Sequence, residues 1–155
     1  MKVLLVGATG ILGSGLQQHF QKLDLELISA SRTSGDFNVD LKSDDSVRKL
    51  FNDIGKIDAI VSAIGKVHFG ELATMTADEF NIGLQDKLLG QIRLALIGKD
   101  YLHDKGSITL TTGIIGSEPI ALGVNATAVN VAIEGFVKAA ALEMPNGIRN
   151  SSPRD

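Results

Sequence analysis

Three glycines, Gly7, Gly10 and Gly13, stand three apart in the stretch "GATGILG". Bare backbone at this spacing turns tightly and can approach a pyrophosphate, whose oxygens are then bound by N–H groups at the N-terminus of a following helix. The residues that would form such a cradle are Gly7, Thr9, Gly10, Ile11, Leu12 and Gly13. A plain strand-to-helix turn explains one glycine after a buried strand, not three. Farther along, "SASR" puts Ser31 and Arg32 where a chain that uses NAD carries an Asp or Glu for the ribose 2′-hydroxyl. A carboxylate repels a 2′-phosphate, whereas a guanidinium binds it through charge-assisted hydrogen bonds, so NADP(H) is the expected cofactor.

The elements that must position these residues follow from hydrophobic periodicity. "VLLV" (3–6) is a continuous apolar run, the pattern of a strand covered on both faces in a parallel sheet. Leu12, Leu16, Phe20 and Leu23 then recur at helical spacing. "LELIS" (25–29) and "FNVD" (37–40) read as the second and third strands. Ser43 is a good N-cap for a helix that buries Val47, Leu50, Phe51 and Ile54, with Asp44 and Asp45 at its positive end. "DAIVSA" (58–63) is a fourth strand. A capping box, Thr76 with Glu79, opens a long helix with an apolar stripe at Phe80, Leu84, Leu88, Ile92 and Leu96. "GSITLTTG" (106–113) is a fifth strand, rich in β-branched residues. A last helix runs from about Asn125 to Met144, where Pro145 and Gly147 stop it. This alternation implies right-handed crossovers and a doubly wound parallel sheet in a three-layer α/β/α, Rossmann-type domain.

Composition narrows the function classes. The 155 residues, 44% hydrophobic and 21% charged, suffice for one domain spanning 1–155 and not for two ordinary ones. A net charge of −3 and the lack of any basic run argue against nucleic acid or anionic membrane as partners. There is no Cys, so no disulfide framework and no thiolate metal site, which is compatible with the expected cytoplasmic location. His19, His68 and His103 share no ligand-type spacing, and no metal is expected. His68 follows the fourth strand and has a suitable intrinsic pKa for proton transfer, though a surface role is the plainer reading. The single Tyr, Tyr101, reads as a packing residue.

Taken in order, these stretches resemble the short-chain dehydrogenase/reductase family over nearly the whole chain. "GATGILG" matches its pyrophosphate loop, and "VDL" (39–41) falls where the family lines its adenine pocket, which assigns Asp40 and Leu41 to the cofactor by resemblance. "SAIG" falls where the family has N-N-A-G, and adds Ser62, Ala63, Ile64 and Gly65. "KLLGQ", "GSITLTTG", "EGFVKAAALEM" and a compressed ending, "GIRNSSPRD", continue the match. The family extends further with a segment that covers the substrate and another strand. A domain C-terminally truncated relative to the family is therefore expected, with its sixth strand exposed unless a partner covers it.

The resemblance also implies a catalytic Tyr, Lys, Ser and Asn. Those positions fall on Ala126, Asn130, Gly113 and Lys87, so all four expected side chains are absent. Lys87 and Asn130 have exchanged the residue types expected at their two places. Lys87 either reaches the same pocket from the other helix, with Gly83, Lys87 and Gly90 on one helical face and the glycines admitting a neighbouring backbone, or is a solvated lysine on the helix surface. The expected roles are Lys87 orienting the ribose or polarising a substrate oxygen, Asn130 hydrogen bonding, and Thr112, beside Gly113, positioning substrate. The resemblance implies an oxidoreductase for a small carbonyl or alcohol substrate with an atypical active site. The alternative is a non-enzymatic NADP(H)-binding sensor or interaction protein. In the family the two long helices commonly pair across a dimer axis, and small residues such as those in "VKAAALEM" suit close packing, so a homo-oligomer is expected.

Overall fold

A computed structural model describes residues 1–153; Arg154 and Asp155, the end of "GIRNSSPRD", lie outside the described residues. The strands are β1 (Lys2–Val6), β2 (Glu26–Ser31), β3 (Phe37–Asn38), β4 (Ile57–Ser62), β5 (Leu102–Thr109) and β6 (Arg149–Ser151). They form one sheet in the order β3-β2-β1-β4-β5-β6, and every pairing is parallel. β1 lies between β2 and β4, so the chain reverses its direction of travel across the sheet there. In such a sheet the crevice at the carboxyl ends of the strands, beside that reversal, is where ligands bind.

Val3, Leu4, Leu5 and Val6 are buried, as the unbroken apolar run requires of a strand covered on both faces. Helix α1 (Ile11–Phe20) follows β1. In α2 (Asp44–Ile54) the Ser43 hydroxyl accepts the Ser46 N–H at 3.2 Å, and Val47, Leu50, Phe51 and Ile54 are all buried. Each such side chain contributes about 1.5–3 kcal/mol of burial. Tyr101 stacks on Phe51 with ring centroids 5.2 Å apart, which is the packing role expected of it.

The long helix is interrupted. It begins as α3 (Ala77–Gly83), loosens into a π turn (Leu84–Leu89), and resumes as α4 (Gly90–Gly98). Thr76 and Glu79 form the expected capping box, with Glu79 N–H to Thr76 Oγ1 at 3.2 Å and Thr76 N–H to Glu79 Oε2 at 2.8 Å. The apolar stripe does not continue as spaced. Beyond the π turn the buried face is Gln91, Leu94, Ala95, Ile97 and Gly98, while Leu96 is 53% exposed. A π turn bonds i to i+5 and inserts a residue, so it rotates every later position around the helix axis. Nor do Gly83 and Gly90 admit a backbone: Gly83 faces the side chains of Asn125 and Val129, and Gly90 those of Ile64 and Leu41.

Other boundaries differ from the sequence reading as well: α1 ends at Phe20, leaving Leu23 46% exposed, β2 shifts to Glu26–Ser31, β3 stops at Asn38, and β5 stops at Thr109. The last helix, α5, spans Val124–Ala140 and ends before Met144, whose extended backbone suits a residue that precedes proline. Strand β5 starts at Leu102 instead of Gly106, because its register against β4 slips: Ile57 pairs with Leu102 but Ala59 with Ser107. Asp58 fills the slip. Its carboxylate accepts the Lys2 N–H at 2.6 Å and meets His103 Nδ1 at 2.9 Å, tying the start of β1 to the irregular part of β5. These contacts hold the Asp58 carboxyl below its ordinary value, with the Lys2 N–H the larger cause. A group depressed in the folded state stabilises above its unfolded pKa and loses that contribution as pH falls through the folded one. Asp58→Asn is expected to lower the Tm at pH 7, and the gap from wild type should close below pH 3.8, the ordinary value. Thermal melts from pH 7 to pH 2 check this; a gap that stays constant with pH would exclude the ionic origin.

Candidate functional site

A cleft of about 310 Å³ opens at the carboxyl ends of the central strands. Its floor and rim come from the β1–α1 loop (Gly7, Thr9, Gly10), the end of β2 (Ser31, Arg32), the segment after β3 (Asp40, Leu41, Lys42) and the segment after β4 (Ala63, Ile64, Gly65). The long helix adds Asp86.

The loop is built by close approach. Gly7 has φ +90°, and a Cβ on it would lie 2.8 Å from Ala63 O. A Cβ on Gly13 would lie 1.9 Å from Gly7 O, so only glycine lets the first turn of α1 come back against the end of β1. Gly10 differs. A Cβ there would meet no protein atom nearer than 3.6 Å, so the space that its glycine leaves open belongs to the cleft. Ile11 and Leu12 do not line the cleft with their side chains, and Ile11 is 98% exposed. With Gly13 they present first-turn N–H groups, which precede the bond from Ser14 N–H to Gly10 O at 2.8 Å. Such a terminus favours anions.

At the β2 end, Ser31 Oγ caps its own turn, donating to Ser34 O at 2.6 Å and accepting the Ser34 N–H at 3.0 Å. Arg32 follows on the cleft wall. Asp36, the carboxylate of this loop, turns away and accepts the Ser29 N–H and hydroxyl, each at 2.8 Å, which holds its carboxyl below the usual range. Its charge is therefore directed at Ser29 and not at the region beside Arg32. The set of backbone donors, guanidinium and unfilled space at Gly10 fits a dinucleotide.

Lys87 lies in the π turn and is 93% buried by its 7% exposure. A Cβ on Gly65 would sit 3.4 Å from its Cδ, Cε and Nζ, so the lysine runs directly behind the cleft wall. The other expected chemical residues are not brought there. Asn130 is buried with both ends of its amide engaged: Oδ1 accepts the Gly113 N–H at 2.7 Å and Nδ2 donates to Ala126 O at 2.7 Å. Thr112 is fully buried, its hydroxyl donating to Pro153 O at 3.3 Å. Both fasten the end of β5, because a buried polar side chain takes the nearest backbone partner. Ser62 lies under the cleft at 0% exposure, its hydroxyl without a partner among the described residues. His68 gives its N–H to Asn125 Oδ1 at 2.9 Å, and its ring lies against Gly70, away from the cleft lining.

Sequence reasoning missed several residues. Lys42, Lys66 and Asp86 line the cleft, and the signal for Lys42 was its place directly after Asp40 and Leu41. Gln91, fully buried, clamps Thr111 by donating to its carbonyl and accepting its N–H, both at 2.9 Å. Asn125 joins α5 to His68 and to Phe80 O. Neither carries a motif; a lone amide in an apolar stripe was the only cue. Among the described residues no cluster of three His, Cys, Asp or Glu could hold a metal ion, and no helix is long and apolar enough to cross a membrane.

A family model described as enoyl-(acyl carrier protein) reductase matches residues 7–151. No curated protein matches the chain. Among solved structures, the protein lin1944 from Listeria innocua is 47% identical with a TM-score of 0.94, over 99% of this chain and 78% of its own. A small-chain dehydrogenase in complex with NADPH is 26% identical with a TM-score of 0.89, over 97% of this chain and 68% of its own. A short-chain dehydrogenase/reductase from Vibrio parahaemolyticus, 17% identical, shares the fold at a TM-score of 0.86, over 97% of this chain and 73% of its own.

Gln91→Leu should leave two buried backbone groups of Thr111 without partners, at about 1–3 kcal/mol each. Urea denaturation is expected to show that loss, and an unchanged midpoint would remove Gln91 from the frame of the site.

Proposed function

The chain belongs to the short-chain dehydrogenase/reductase family, and from that premise we propose that it binds NADP(H) in this cleft and acts as an oxidoreductase on a small carbonyl or alcohol substrate. The observation that carries the reading is the cleft itself, in which the helix terminus at Gly10–Gly13, the Arg32 guanidinium and the wall at Gly65 backed by Lys87 meet in one space. The NADPH bound to a relative 26% identical supports the choice of cofactor. When bound, the cofactor supplies or accepts hydride at a substrate carbon.

The remaining work falls to the chain. The first-turn N–H groups bind the pyrophosphate, and Arg32 with Ser31 binds at the 2′ position. Asp40 and Leu41 border the adenine side. Lys87, behind Gly65, is the one residue of the expected catalytic set beside the cleft; it orients the ribose or supports a developing charge on the substrate oxygen. Thr112 and Asn130 serve the frame and not the chemistry.

A second reading is favoured by one observation: Ala126, at the family's Tyr position, is 1% exposed and cannot titrate. Loss of a positioned proton donor costs about 10²- to 10⁴-fold in rate. A chain that keeps the cofactor cleft without that donor suits a redox sensor or interaction protein.

Titration with NADPH and NADH, repeated on Arg32→Glu, tests cofactor choice. NADPH is expected to bind more tightly, and the substitution to weaken it by about tenfold or more, as loss of a charge-assisted bond does. Equal affinities that Arg32→Glu leaves unmoved would remove Arg32. A carbonyl-reductase screen with NADPH separates the two readings: an enzyme is expected to lose most of its rate on Lys87→Ala, and a sensor shows no rate in the wild type.

The reading includes a homo-oligomer through the long helices. Leu89, Leu96 and Val131 expose apolar side chains on them at 36%, 53% and 48%. Leu96→Glu is expected to shift the wild-type oligomer toward monomer in light scattering; a monomeric wild type would sink this part.

A further inference from the structure

We propose that Asp86 sets the preference between 2′-phosphorylated and unphosphorylated dinucleotides by holding Lys42, an inference that rests on the NADP(H) reading above. Lys42 Nζ lies 3.3 Å from Asp86 Oδ2, and both residues line the cleft. They arrive from different parts of the fold, Lys42 from the segment between β3 and α2, and Asp86 from the π turn.

Lys42 lines the same cleft as Ser31 and Arg32, where the 2′-phosphate is proposed to bind. β3 pairs with β2 directly, and the Val39 N–H continues that pairing to Ser31 O at 2.9 Å. Arg32 thus enters the cleft from the end of β2, and Lys42 from the segment that follows the neighbouring strand β3. The nearby carboxylates are engaged elsewhere: Asp36 with Ser29, and Asp40 Oδ1 with the Lys42 N–H at 3.0 Å. Asp86 is the carboxylate that faces a lysine side chain of the cleft.

The pair is half in solvent, with side-chain exposures of 50% for Lys42 and 23% for Asp86. An exposed ion pair of this kind is weak. A phosphate monoester carries more charge than a carboxylate and three strong acceptor oxygens, so it can take Lys42 from Asp86 when Arg32 holds its other side. An unphosphorylated dinucleotide makes no such claim. Asp86 therefore competes with the 2′-phosphate and acts only through Lys42. Breaking the pair does not release the long helix, because Arg93 on α4 separately holds Leu41 O at 2.7 Å and Asp44 Oδ1, at the start of α2, at 2.5 Å.

Calorimetric titration of the full chain with NADPH and with NADH tests this. Lys42→Ala is expected to weaken NADPH by about threefold to tenfold and NADH by less than about twofold. Asp86→Asn should tighten NADPH by about twofold to fivefold and leave NADH in place. The double variant should match Lys42→Ala alone, and Lys42→Arg should keep the preference. Thermal melts verify that each variant folds. Equal effects of Lys42→Ala on both cofactors, or a weaker NADPH complex in Asp86→Asn, overturn the proposal. If those outcomes accompany an intact Arg32→Glu effect, the competition fails while the NADP(H) reading stands. A wild type that binds neither cofactor overturns both.

Discussion

The cleft depends on how closely the first helix returns to the strand that precedes it. Gly13 sits so near Gly7 that a single added carbon would fall 1.9 Å from the carbonyl oxygen, far inside any tolerable contact. Gly7 in turn lies against Ala63 at the end of β4. One pair of glycines thereby sets two things together: the position of the α1 terminus against the end of β1, and the close approach of that turn to the segment after β4 that carries Gly65. Arg32 and Lys42 line the cleft beside this contact, and Lys87 lies behind its wall at Gly65.

Much of this was legible in the sequence because the governing signals are local and steric. A run such as "VLLV" has few solutions other than a strand buried on both faces, and glycines directly after it narrow the turn. Ten of the residues assigned to the cofactor from sequence, Gly7, Thr9, Gly10, Ser31, Arg32, Asp40, Leu41, Ala63, Ile64 and Gly65, line one cleft. The topology that gathers them was implied by the alternation of strands and helices along the chain. The amphipathic pattern of α2 was equally plain, since cap, charges and apolar positions agree with one another.

What was illegible depended on partners distant in sequence or on departures from ideal periodicity. The π turn at Leu84–Leu89 has no local marker, yet it moves Leu96 outward and Gln91 inward. Asn130 and Thr112 have residue types that suit chemistry, and nothing near them in sequence shows that Gly113, Ala126 and Pro153 engage them. The slip between β4 and β5 is likewise set by Asp58 reaching both Lys2 and His103. Polar side chains at sheet ends are ambiguous in sequence because backbone and ligand compete for the same donors and acceptors.

The residue types at positions 87 and 130 have a physical sense in the helices that carry them. An asparagine on α5 is short and carries both an acceptor oxygen and a donor NH₂, which matches the two backbone groups it bridges there, Gly113 N–H and Ala126 O. A lysine at that place would offer donors only and leave the Gly113 N–H without a partner. Lys87, in the looser π turn, has the reach to pass behind Gly65, where a Cβ would stand 3.4 Å from its ammonium. π turns recur at functional sites because they re-aim a side chain without ending the helix. Each residue type thus fits the geometry of the helix that carries it: Asn130 fastens α5 to Gly113, and Lys87 places a cation behind Gly65.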